Sequence, residues 1–162
     1  MKHAIIIRRG SLADTRNACD LLNKIIQIGG TTAINVALSR DEFTDWAHGE
    51  GCVWHIAERD DGTLLGFQWI GPWEGLDADT IEIATFVRAG QTGQGIGSKL
   101  FEVTKSAARA MNQNWIEAEI RSDNEGGLIY YQSIGFRGNT KRKGKLTDGT
   151  PIEKTVKIYD LS

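Results

Sequence analysis

The stretch Ile81-Glu-Ile-Ala-Thr-Phe-Val-Arg-Ala-Gly-Gln-Thr-Gly-Gln-Gly-Ile-Gly-Ser-Lys-Leu100 constrains the fold more than any other part of this 162-residue chain. Ile81, Ile83 and Val87 alternate with other residues at the period of a strand, and Phe86 adds strand propensity. Further on, Ile96, Leu100, Val103, Ala107 and Met111 recur at the spacing of a helix's buried stripe. Between them Gly93, Gly95 and Gly97 permit a tight turn that leaves backbone N–H groups free at the helix N-terminus. Amides and helix dipole together favour negative charge there, a pyrophosphate for example. The run lacks the Gly-Lys-Ser/Thr ending of a nucleoside triphosphate loop. It also does not head a dinucleotide-binding unit with a ribose-binding acid in place.

The remaining elements fall around this unit. A first strand is predicted over residues 2–8, followed by a helix capped by Ser11 with Ala18, Leu21, Leu22, Ile25 and Ile26 as its apolar stripe and Gly29-Gly30 as its end. Ser39 and Glu42 form the capping box of a second helix carrying Phe43 and Trp46. The mixed segment 31–38 between these helices is a candidate substrate-side loop. Residues 52–58 and 64–70 read as strands joined at Asp60-Asp-Gly62, a hairpin signal because the turn needs residues that tolerate positive φ. Residues 115–120 give another strand, 124–133 a short helix, and Phe136 onward a return strand; 152–159 close the chain after the turn Asp148-Gly-Thr-Pro151. One domain over residues 1–162 is expected, since neither a repeat nor a linker divides the chain.

A formal charge of −2 and a pI near 5.9 provide no general attraction for nucleic acid or an anionic membrane. Residues 1–7 are too short for a signal sequence and no long apolar run is present, so a cytoplasmic compartment is expected. Cys19 and Cys52 are far apart without metal-ligand spacing and read as reduced, buried thiols. No His/Cys/Asp cluster has metal spacing, and no metal is expected.

Two motifs resemble those of the GNAT N-acetyltransferase superfamily. The first is Val87-Arg-Ala-Gly-Gln-Thr-Gly-Gln-Gly-Ile-Gly97, similar to the loop Arg/Gln-x-x-Gly-x-Gly/Ala after a valine-ended strand, with Thr92 at the signature's first position. The second is Asn124-Glu-Gly-Gly-Leu-Ile-Tyr-Tyr-Gln-Ser-Ile-Gly-Phe136, an asparagine followed seven residues later by a tyrosine and then Gly-Phe. The early run Arg8-Arg-Gly-Ser-Leu-Ala-Asp14 also resembles the start of many such chains. The resemblance implies an α/β fold: a mixed, mostly antiparallel central sheet with helices on both faces, opened near the end of the cofactor strand. It further implies acetyl-CoA as co-substrate, held by Phe86, Val87, Gly93, Gln94, Gly95, Ile96, Gly97 and Ser98, with Asn124 bonding its pantetheine arm. Tyr131 would protonate the departing thiolate, and the Val87 N–H would receive the carbonyl's growing charge. The helical step separates Tyr130 from Tyr131 by about 100°, and the spacing to Gly135-Phe136 favours Tyr131.

An amine must lose its proton before it attacks a thioester, and Glu82, a carboxylate in an otherwise apolar strand, is costly to bury unless used or paired. The phosphinothricin and methionine-sulfone acetyltransferases, the subgroup most similar in look, carry a glutamate at the matching place of their Glu-x-Ser-x-Tyr-Val strand. Here the run is Glu82-Ile-Ala-Thr-Phe-Val87, which keeps the glutamate but neither the serine nor the tyrosine. Trp73, just past a strand, is a candidate wall of a small substrate pocket. His55 is a weaker auxiliary base, and the basic run 141–145 reads as a solvated face. Transfer of acetyl to the primary amine of a small molecule, an amino acid or analogue, is therefore expected. A protein N-terminus or lysine as acceptor, an acyl-CoA-binding module without turnover, and a homodimer are open alternatives.

Overall fold

The computed structural model describes residues 4–91 and 95–162; residues 2–3 of the predicted first strand, and Thr92, Gly93 and Gln94 of the glycine loop, lie outside them. Seven strands form one sheet: β1 Ile5–Arg9, β2 Val53–Arg59, β3 Leu64–Gly71, β4 Thr80–Val87, β5 Trp115–Arg121, β6 Arg137–Lys145 and β7 Pro151–Asp160. Their spatial order is β1-β2-β3-β4-β5-β7-β6. Every neighbouring pair is antiparallel except β4 and β5. The Asp60-Asp-Gly62 turn joins β2 to β3 with Gly62 at φ 89°, the left-handed geometry that its sequence predicts.

Four helices cover both faces. α1 Thr15–Ile28 and α2 Arg40–Ala47 bury Leu21, Leu22 and Phe43 against Trp54, Phe67, Trp69 and Phe86. α3 Ile96–Ala110 and α4 Glu125–Ser133 lie on the opposite face. There Ile96 and Leu100 meet Ala57 and Leu65, while Phe101 and Tyr131 join Ile81, Ile83, Ile116, Ala118 and Phe136. β3 runs through the middle with all eight residues buried, as a strand covered on both sides must. No described helix is long and apolar enough to cross a membrane.

Three local expectations change. Ser11 opens a 3-10 turn, Leu12–Asp14, ahead of α1, because the Asp14 carboxylate takes the Ser11 N–H at 2.9 Å and binds Arg8 at 2.7 Å. The buried stripe of α3 runs Ile96, Leu100, Phe101, Thr104, Ala108; Val103 and Ala107, and Met111 just past the helix end, are only half-buried. Phe101 turns the helix, since its ring seats 5.5 Å from Phe136 and 5.0 Å from Tyr159. Of the two free cysteines only Cys19 is fully buried.

The feature that positions the site is a split in the sheet. β4 and β5 pair in parallel only at Thr80–Trp115, Ile81–Ile116 and Glu82–Glu117. Past Glu82 they part, while β4 stays paired with β3 as far as Val87.

Candidate active site

Arg88 N–H donates to Leu65 O at 2.7 Å, which sets the alternation of the β3–β4 ladder. By that alternation Glu82, Ala84 and Phe86 bond toward β3, and the backbone groups of Ile83, Thr85 and Val87 turn toward the gap left by β5. The gap opens into a cavity of about 860 Å³ that reaches from the N-terminus of α3 to the segment 31–34 and the rings of Trp46, Trp69 and Trp73. Such a volume accommodates an extended organic ligand.

At one end, Gly95 caps α3 at φ 72°, a conformation glycine adopts without strain, and a Cβ there would meet nothing within 4 Å. The first N–H to find a partner within α3 is that of Lys99, on Gly95 O at 3.0 Å, so the amides of Ile96, Gly97 and Ser98 have no acceptor in the helix. All three residues line the cavity. Gly97 is small for a second reason that its spacing did not predict: a Cβ would lie 2.5 Å from the Tyr130 ring. The Tyr130 hydroxyl donates to Gly97 O at 2.8 Å, tying α4 to the start of α3.

Phe86 lines the cavity, but its ring belongs to the opposite face, tilted 5.0 Å from Phe67. Asn124 is at the rim with its side chain engaged at both ends. Its Oδ1 accepts from Gly127 N at 3.0 Å as the cap of α4, and its Nδ2 donates to Thr31 O at 3.0 Å. The asparagine therefore holds the 31–38 segment to α4 in addition to facing the cavity. The same segment is held by Arg121 on Thr32 O and by Thr147, whose N–H donates to Ala33 O and whose hydroxyl bonds Asn35.

Glu82 stands where β4 and β5 begin to part, 9 % exposed, with Oε2 lacking any hydrogen-bond partner. Burial first, then the neighbouring carboxylates of Glu117 and Glu119, push its pKa up to about 9. Those two neighbours are themselves matched: Arg142 reaches Glu117 at 3.3 Å and Glu119 at 2.8 Å, and Lys154 reaches Glu119 at 2.6 Å. The four basic residues of the run 141–145 are exposed, as a solvated face should be, while Arg142 and Lys141, which donates to Thr155, also bond across the sheet. Cross-strand partners of β5, β6 and β7 make this cluster, and only the lone glutamate was visible in sequence.

On the other face of β4, Thr85 Oγ1 lies 2.8 Å from the Tyr131 hydroxyl. Both tyrosines line the cavity. Burial pushes the Tyr130 phenol up to about 12, and that of the buried Tyr131 higher still, so both hold their protons across the physiological range. Trp73 is more than half exposed at the cavity's rim. His55 does not line the cavity; it is buried, and burial with nearby Arg9 lowers its pKa. Gln68, which sequence reasoning passed over, donates to both Thr85 and Tyr130. A buried amide inside an apolar strand was the available signal. Among the described residues no group of three or more His, Cys, Asp or Glu is gathered to hold a metal ion.

Known proteins resemble this chain in sequence and in fold. A model of the acetyltransferase (GNAT) family matches residues 25–136. An L-amino acid N-acyltransferase of Escherichia coli (strain K12) is 29% identical over 83 residues, 50% of this chain and 48% of that protein. The match thus spans about half of that relative's length. The L-methionine sulfoximine/L-methionine sulfone acetyltransferase of Pseudomonas aeruginosa is 28% identical over 137 residues, 80% of this chain and 78% of that protein. The crystal structure of a phosphinothricin acetyltransferase from Sinorhizobium meliloti in complex with AcCoA superimposes with a TM-score of 0.85, at 17% identity, over 98% of this chain and 89% of the other.

Proposed function

Because the chain belongs to the acetyltransferase (GNAT) family, we propose that it transfers acetyl from acetyl-CoA to the primary amine of a small molecule, an amino acid or analogue, by direct attack on the thioester. The observation that carries this reading is the split between β4 and β5. It opens one cavity onto the β4 edge that β5 leaves, helix amides with no acceptor within α3, and a buried glutamate.

The residues present fit a pyrophosphate-bearing donor. Amides of Ile96, Gly97 and Ser98 supply hydrogen-bond donors at the positive end of α3, and Gly95 leaves open space before them. An extended amide-bearing arm finds backbone partners on β4 at Ile83, Thr85 and Val87. Acetyl-CoA supplies an activated acyl group; the chain supplies position and proton handling. The Val87 N–H, turned toward the gap, is the donor for the carbonyl's developing charge.

Glu82 receives the amine's proton. A group with a pKa near 9 matches a primary ammonium (~10), so the transfer is close to thermoneutral. A C–N bond forms, the C–S bond breaks, and Tyr131 gives its proton to the departing sulfur. Trp73 and the fastened 31–38 segment bound the acceptor side, and methionine-derived acceptors are consistent with the aromatic wall of Trp46 and Trp69, stacked at 4.9 Å.

The test is a panel of amines incubated with acetyl-CoA while free thiol is measured. Turnover on amino acids or their analogues, with little on peptides, is expected. Tight acetyl-CoA binding with no thiol release on any amine would contradict the reading.

A further inference from the structure

Gln68 is completely buried in the middle of β3, and an amide there is costly unless its groups are used. Its Nε2 donates to Thr85 Oγ1 at 2.9 Å and to the Tyr130 hydroxyl at 3.0 Å. Its Oε1 has no partner, so the nitrogen end is what the fold employs. With the bonds from Tyr130 to Gly97 O and between Thr85 and Tyr131, five residues of β3, β4, α3 and α4 are joined in one chain on one face of the sheet.

The direction of three of the four bonds follows from the end that admits no choice. The carbonyl of Gly97 can only accept, so the single proton of Tyr130 is directed to it. Tyr130's oxygen is then an acceptor, and the Gln68 atom that faces it must be the amide nitrogen, which fixes the orientation of that side chain. The second Nε2 hydrogen goes to Thr85 Oγ1. The Thr85 hydroxyl accepts from Gln68 and lies 2.8 Å from the Tyr131 hydroxyl, so its own hydrogen is available to the oxygen of Tyr131. In the arrangement where Thr85 donates, Tyr131's own proton is left for the cavity that the residue lines.

We propose that Gln68 is a positioning residue for the acetyl transfer: by donating to Tyr130 and Thr85 at once, it orients the chain so that the Tyr131 proton faces the cavity. This rests on the reading of Tyr131 as the acid. As the S–H bond of the leaving thiol forms, the O–H bond of Tyr131 breaks. The phenolate left behind keeps the hydrogen bond from Thr85 until water returns a proton. Without the Gln68 donor, nothing biases the Thr85 hydroxyl toward donating to Tyr131, and the acid's proton turns to Thr85 instead of the cavity although the tyrosine is still present.

Gln68→Met keeps the volume and removes the donor. It is expected to lower kcat roughly 10- to 100-fold, part of the contribution of a positioned acid, with acetyl-CoA affinity by calorimetry unchanged. In a Tyr131→Phe background the same substitution should change kcat less than about 3-fold, because the group it orients is gone. Thr85→Val cuts the same link from β4 and should reproduce both results, which keeps the test available if Gln68→Met does not fold. Unchanged kcat in Gln68→Met, or an equal loss in the wild-type and Tyr131→Phe backgrounds, would overturn the positioning role and leave the acid reading intact. A Tyr131→Phe variant with undiminished kcat would overturn both.

Discussion

The two faces of β4 do different work with the same eight-residue strand. On the α1 and α2 face, Glu82 stands in a cluster of carboxylates and cations drawn from β5, β6 and β7, and its pKa is high because burial and like charge both oppose ionisation. On the α3 and α4 face, Thr85 and Tyr131 belong to a chain of neutral hydrogen-bonding groups whose order is set by a backbone carbonyl. On the proposed mechanism one face accepts a proton and the other releases one. Both groups, Glu82 and Tyr131, reach the same cavity where β4 and β5 part, from opposite faces of β4. Substitutions on the two faces should therefore leave different kinetic signatures.

The largest effect is expected from Glu82→Gln, which keeps the shape and removes the proton acceptor. With a primary amine at neutral pH, kcat/KM should fall roughly 100- to 10,000-fold, the range of general base catalysis. A loss smaller than about 3-fold in steady-state assays would assign deprotonation to another group.

Tyr131→Phe comes next. Removing the hydroxyl alone should lower kcat roughly 10- to 1000-fold with little change in acetyl-CoA affinity. Tyr130→Phe supplies the contrast. It releases Gly97 O and one acceptor of Gln68 without removing the acid, so its loss of kcat should be the smaller; the reverse ranking in parallel assays would exchange the roles of the two tyrosines.

The smallest effect separates the two glycines of the α3 cap. Gly97→Ala places a methyl against the Tyr130 ring and should destabilise the fold by about 1–3 kcal/mol, as overpacking does, read as a lower Tm. A larger side chain at Gly95 enters open space, apart from the strain of its left-handed backbone, and should act mainly on acetyl-CoA affinity. Equal melting temperatures for Gly97→Ala and wild type would show that α4 can yield.

Local patterns carried much of this into the sequence. The Ser39–Glu42 capping box, the Asp60-Asp-Gly62 turn and the strand-to-helix transition around Gly95 each depend on residues within a few positions of one another, and each forms as its spacing predicts. What stayed hidden depends on residues brought together by the sheet. Gly97 meets Tyr130 from 33 positions away, and Glu82 meets Glu117 across a parallel pair. The stripe of α3 was misplaced beyond Leu100 because two adjacent faces are apolar, and the contacts of Phe101 with Phe136 and Tyr159 choose between them. Asn124 reads as a ligand contact by its motif, yet its cap on α4 and its bond to Thr31 are visible only once the loop is in place.

The separation of the two faces is tested most directly by pH profiles of kcat/KM from about pH 6 to about pH 10, with one accepted amine, for wild type, Tyr131→Phe and Glu82→Gln. In the free enzyme Glu82 keeps its proton up to about pH 9, so the wild-type profile should climb about tenfold per unit below that point instead of lying flat as an ordinary carboxylate would make it. Tyr131 holds its proton throughout, so Tyr131→Phe should run parallel beneath wild type. Glu82→Gln should begin to narrow the gap only above about pH 9, where the amine sheds its proton unaided. A wild-type profile flat between about pH 6 and 8, or a Glu82→Gln profile parallel to wild type to the top of the range, would contradict the division of labour across β4.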